Sequence, residues 1–137
     1  MFVSFPNRQP KRLFQLIVLG VVLLAIFLPR AIKLDQYVTP DEHLWLTRSA
    51  NFYYALGQRD FAATNQIYHP GVTTMWIGTA GFLSRYPEYR GSGIGQIDSD
   101  TLHNYINEIP NLETIDLLLT AKYIMIVVHT VIFGISY

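Results

Sequence analysis

The sequence contains no cysteine, so no disulfide ties any part of it together. That is compatible with a loop outside the cytoplasm that does without such staples. There is no internal repeat at a fixed period and no low-complexity tract. There is no HxxH, HxxxH or CxxC spacing either, so His43 and His103 do not read as a dedicated zinc site. Acidic residues are missing from both ends. All ten lie between Asp35 and Asp116, where only Arg48, Arg59, Arg85 and Arg90 oppose them, a net charge of −6 for that stretch. The aromatic-rich part of the chain is therefore acidic, which excludes a nucleic-acid surface.

What the chain has in excess is apolar surface. Half of its 137 residues are hydrophobic and 14% are aromatic, more than an average soluble domain carries. Residues 13–28 read LFQLIVLGVVLLAIFL, with Gln15 as the one strongly polar residue. Extended through Ile32, this run is long enough, at about 1.5 Å per residue, to cross roughly 30 Å of hydrocarbon. A cleaved signal peptide is the competing reading, but no small-x-small cleavage site follows. Residues 117–137 form a second apolar run, interrupted by Lys122 and His129. A hydrogen bond to a neighbouring helix is the expected use of His129.

The fold class that follows is an all-α membrane protein with two transmembrane helices. A cytoplasmic tail occupies 1–12, the first span 13–32, a long extracytoplasmic loop 33–111 and the second span 112–137. Arg8, Lys11 and Arg12, with no acid beside them, hold the N-terminus in the cytoplasm, and Arg30 and Lys33 oppose that bias from the far side.

The loop has its own signals. Residues 39–42 read TPDE: Thr39 at the N-cap, Pro40 at the first helical position and Glu42 three after the cap, a capping box with the favoured proline. A helix is predicted over 40–56, stopped by Gly57, lying along the membrane surface with a stripe of Leu44, Trp45, Phe52, Ala55 and Leu56 turned toward lipid or neighbouring spans. A second is predicted over 72–84, with Met75, Trp76, Thr79, Phe82 and Leu83 on one face and Gly78 and Gly81 permitting close approach of another helix. The stretch 86–100 reads as turns, 101–109 as a short interfacial helix, and Asn111 as the N-cap of the second span. The glycines of GSGIG have no preceding strand and no following P-loop lysine, so they read as a linker. Trp45, Trp76 and the many tyrosines fit an aromatic belt before they fit a sugar-stacking platform.

Asp41 and Glu42 are adjacent, and consecutive helical residues point about 100° apart, so they cannot act as a pair on one face. Glu42 is accounted for by the capping box. Asp41 either complements the positive end of the helix dipole, worth about 0.3 to 1 kcal/mol, or is a carboxylate held in a cavity at the membrane interface, able to bind a cation or take a proton.

The order of a basic tail, one span, TPDE, GQRDF, YHPGVTTMW and a second span resembles the N-terminal part of the polyprenyl- or dolichyl-phosphate-sugar-dependent glycosyltransferases. These include the protein O-mannosyltransferases and the lipid A aminoarabinose transferases, glycosyltransferase family 39 of the GT-C architecture. Asp41-Glu42 resembles the family's acidic motif, and His69-Pro70 its HPP or KPP segment, with Gly71 in place of the second proline. The resemblance implies inverting transfer of a sugar from a lipid-linked phosphate donor to a protein or glycolipid acceptor on the outer face. It implies Asp41 as the base or orienting carboxylate, beside Glu42. The leaving phosphate then needs positive charge from a side chain or a divalent cation. Lys122 either supplies it or snorkels to the interface; His69 either contacts the donor or a metal, or fills a turn. Such enzymes have many more spans, so the resemblance implies an N-terminal piece, inactive without the remaining transmembrane helices. A small two-span membrane protein acting as a binding or assembly module is the alternative.

Overall fold

The structure is a computed structural model that describes residues 9–36, 38–66 and 71–136. Among the described residues there are six helices and no strand: α1 (Gln9–Ala31), α2 (Pro40–Gly57), α3 (Val72–Arg85), α4 (Tyr89–Ser92), α5 (Ser99–Asn107) and α6 (Thr114–Ser136). They fall into two compact units, one of residues 33–125 and one comprising 1–32 with 126–137.

The second of these units holds α1 and the C-terminal half of α6. Both α1 and α6 are long and apolar enough to cross a membrane. Large side chains along α1, among them Phe14, Leu16, Val21 and Leu24, are more than half exposed, as expected of a helix whose solvent is lipid. Pro29 lies inside α1, in its last turn, where it leaves the carbonyl four residues back without its helical donor. There Arg30 Nη1 donates to the Ile26 carbonyl, one turn back, at 3.0 Å. Within this unit the Leu23 methyl groups lie 3.6 Å from where a Cβ would stand on Gly134.

The unit of residues 33–125 is a small helical core built around α2. Leu46, Ala50 and Tyr53 of α2 pack with Phe82 of α3, Tyr89 of α4, Leu102 and Ile106 of α5, and Leu117 and Leu118 of α6. Helix α2 makes its contacts with α3, α4 and α5. Nine of its residues are buried, and they lie on more than one face. Of the expected stripe, Phe52 and Ala55 are buried, Trp45 and Leu56 half-buried and Leu44 exposed, so most of it packs on neighbouring helices. Helix α3 keeps its small residues for close packing. A Cβ on Gly78 would overlap Ser49 of α2, and one on Gly81 would stand 3.2 Å from the Ala121 Cβ of α6. Of the broad face expected on α3, Met75, Thr79 and Phe82 are buried and Trp76 and Leu83, at its margins, are about half exposed. Trp76 meets Phe52 edge-on with ring centroids 5.1 Å apart.

The helix ends show where local signals held and where they did not. Gly57 is the last residue of α2 rather than a left-handed stop; the left-handed residue is Arg59, with φ 61°. Asp60 N then donates back to the Ala55 carbonyl at 2.9 Å, closing the end as a Schellman-type turn. The missing side chain of Gly57 is required instead by the Arg90 carbonyl, which a Cβ would overlap. The 86–100 stretch is not all turn, since it contains α4 and the start of α5. Helix α5 begins at Ser99, two residues before the expected start, because Asp98 caps it by accepting from Thr101 N at 2.8 Å. Asn111 is not the cap of α6. It takes φ 62°, which asparagine tolerates, and α6 begins at Thr114.

Candidate functional site

The site begins at Thr39, whose extended backbone (φ −81°, ψ 152°) leads into Pro40 at the start of α2. The Thr39 side chain makes no cap hydrogen bond; its carbonyl accepts from Glu42 N at 3.0 Å. The reciprocal bond of a capping box, from the Glu42 carboxylate back to the Thr39 amide, is replaced by a tertiary one. Glu42 Oε2 lies 2.6 Å from Lys122 Nζ of α6, with both side chains about one-tenth exposed. No aligned hydrogen bond accompanies this contact at Oε2, so it is a charge contact above all. Lys122 Nζ also donates to the Leu34 carbonyl at 3.2 Å. One ammonium therefore ties together the segment after α1, the first turn of α2 and the first third of α6.

A buried ion pair is stable only when its charges and remaining polar valences are matched, because desolvation of each ion costs several kcal/mol. Here the surroundings are mostly apolar. Glu42 and Lys122 line a cavity of about 50 Å³ whose other walls include Trp45, Leu46, Ile77, Leu118 and Met125. That volume leaves room for water beside the pair. The cavity is a setting for the pair.

Asp41, one residue earlier, is exposed. The two adjacent carboxylates are divided as the helical geometry requires. Glu42 turns inward to line the cavity, and Asp41, read either as a partner of the helix dipole or as a carboxylate in a cavity, faces outward from the first turn of α2. Lys122, expected either to meet a phosphate or to snorkel, is held by Glu42 and Leu34. His69 lies outside the described residues. Among the described residues no three His, Asp or Glu side chains converge as a metal site.

Two features were not visible in the sequence. His43 and Thr47 of α2 line a groove of about 320 Å³ together with Ser99, Asp100 and His103 of α5 and Thr114 of α6. The two histidines have no shared spacing motif, so nothing in the sequence pairs them. The other is a tyrosine cluster beneath α4. Tyr86 Oη lies 3.3 Å from Tyr105 Oη, and Tyr105 Oη donates to the Ser92 carbonyl at 3.0 Å. Burial raises the pKa of Tyr53 and Tyr105, and most strongly that of Tyr89, whose hydroxyl is buried without a hydrogen-bond partner. Asp98 moves the other way: the Thr101 amide donating to its carboxylate lowers its pKa.

Compared with protein-family models, curated proteins and solved structures, the chain matches none.

Proposed function

We propose that the chain is the N-terminal part of an integral membrane glycosyltransferase. In this reading it moves a sugar from a polyprenyl-phosphate donor to a protein or glycolipid on the outer face of the membrane. The observation that carries the reading is the order of motifs along the sequence, a basic tail, one apolar run, TPDE, YHPGVTTMW and a second apolar run. Two helices fit to cross a membrane support it further, and Asp41, which does not line the Glu42 cavity, is an accessible carboxylate on the first turn of α2.

The chemistry asks little more of this region. The acceptor hydroxyl oxygen attacks the anomeric carbon, and Asp41 takes its proton. The bond from that carbon to the phosphate oxygen breaks, and the polyprenyl phosphate departs as an anion with the bonding pair. A phosphate leaves without protonation, so one carboxylate suffices. Positive charge near the departing anion lowers the barrier. A phosphate reaching Lys122 would have to share the ammonium with Glu42; His69 or a divalent cation would supply the rest. The carboxylate-rich segment, net −6, lies outside and the basic tail of Arg8, Lys11 and Arg12 inside. The remaining transmembrane helices of the enzyme complete the donor site.

The test is transfer itself. The full-length protein in proteoliposomes, given a radiolabelled polyprenyl-phosphate sugar, is expected to move label into a protein or glycolipid fraction. If no such donor yields label above protein-free vesicles, the enzyme reading fails and the two-span assembly module stands.

A further inference from the structure

The sequence assigns Glu42 to a local cap, and the proposed reaction does not use it. Its position in the fold gives it another task. Glu42 follows Asp41 directly, and its carboxylate reaches across to α6, where it meets Lys122 Nζ at 2.6 Å. The same ammonium holds the Leu34 carbonyl at 3.2 Å. No side-chain cap bond secures the first turn of α2 at Thr39, and Pro40 donates no amide there. The tertiary ion pair is thus the polar contact that fixes where this turn sits, and with it the carboxylate of Asp41. A helix start without its cap frays readily, because its first amides lack partners.

We infer that Glu42 is a positioning residue. Acting through Lys122, it holds the first turn of α2 against α6 and the segment after α1, so that Asp41 is presented at a fixed place. This rests on the catalytic reading of Asp41 given above. It predicts a division of labour between neighbours: Asp41 touches substrate, and Glu42 does so only through the turn it anchors. Lys122 then belongs to the positioning device first, and any contact it makes with a phosphate comes second.

Residues 1–137 contain no cysteine, so the test needs only that any cysteine in the rest of the full-length protein be replaced by serine. In the full-length protein, Asp41→Cys and Tyr123→Cys place two spin labels, one on the first turn of α2 and one on an exposed position of α6. Pulsed electron-electron resonance is expected to give one narrow distance peak. Adding Lys122→Met or Glu42→Gln broadens it, and the reversed pair Glu42→Lys with Lys122→Glu narrows it again. An unchanged distribution in both single variants overturns the inference. In the protein without labels, Glu42→Gln is expected to lower kcat at least tenfold with KM within threefold of the parent, and the reversed pair to recover part of it. A broadened distance with kcat within twofold of the parent also overturns the inference, since the anchor would then not matter to the chemistry. Asp41→Asn is run alongside. If it keeps full activity the catalytic reading fails, whereas the distance measurement reports on the anchor regardless of activity.

Discussion

Replacing Gly78 by alanine tests the packing that brings α3 against α2 beside the ion pair. A Cβ at Gly78 would overlap both Cβ and Oγ of Ser49. Ser49 cannot yield: it is 1% exposed, and its Oγ is held by the Trp45 carbonyl at 2.8 Å. The helices must therefore separate. Overpacking of this kind costs about 1–3 kcal/mol, and a rigid backstop puts Gly78→Ala near the upper end, about 3 kcal/mol. That corresponds to a fall of roughly 10 °C in the unfolding midpoint, read by circular dichroism of the purified protein in detergent micelles. Ser49→Gly provides the internal control. It removes both overlapped atoms and leaves the Ser49 Cα at 3.8 Å, an ordinary contact, at its own cost of about 1 kcal/mol for a glycine inside a helix. In the Ser49→Gly background, Gly78→Ala should cost less than about 0.5 kcal/mol, a coupling of at least about 2 kcal/mol between the two sites. A Gly78→Ala midpoint within about 1 °C of the parent, or strictly additive effects in the double variant, would refute this account of the interface.

Lys122→Met leaves the Glu42 carboxylate buried without its counter-charge and should destabilise the protein by about 3 kcal/mol. Lys122→Met combined with Glu42→Gln should cost less than Lys122→Met alone, as measured by the same thermal unfolding. Tyr89→Phe removes a hydroxyl that is buried without a partner, so it should leave stability unchanged or raise it by about 1 kcal/mol. In the parent, the Tyr89 phenol should stay protonated as the exposed tyrosines ionise in alkali, followed by ultraviolet absorbance. Asp98 is an exposed cap whose pKa is lowered in the fold from 3.8. The stability it adds is therefore fully present above pH 3.8 and is lost as the pH falls through the lower folded value. The advantage of the parent over Asp98→Asn in helix content should shrink over that acidic range; an advantage that grows there would contradict the assignment.

Much of the helical framework could be read from the sequence, because its signals are local. Pro40 at the first turn and the apolar periodicity placed α2 to within a residue, and the run of residues 13–28 located α1. Gly78 and Gly81 foretold close helix approach, and the structure supplies their partners, Ser49 and Ala121. What local signals left open was the environment of each face. The α2 stripe reads equally as facing lipid or neighbouring helices, because periodicity reports that a face is apolar and not what covers it; the elements packed on α2 are α3, α4 and α5. The same limit explains the site. Thr39-Pro40-Asp41-Glu42 matches a capping box, and nothing local reveals that a lysine far along the chain competes for Glu42 more strongly than the Thr39 amide. Once that ion pair turns Glu42 inward, the 100° step of the helix turns Asp41 outward. The place of His43 and His103 in the lining of one groove was likewise set by how α2 crosses α5, which no spacing in the sequence records.

The central claim is that Asp41 removes the acceptor proton, and the rate of sugar transfer by Asp41→Asn in the full-length protein tests it most directly. Asparagine keeps the size and exposure of the side chain and removes the base. The account predicts a fall in kcat of about 10² to 10⁴ fold with the fold intact by circular dichroism. An Asp41→Asn protein that transfers sugar within threefold of the parent rate would contradict it.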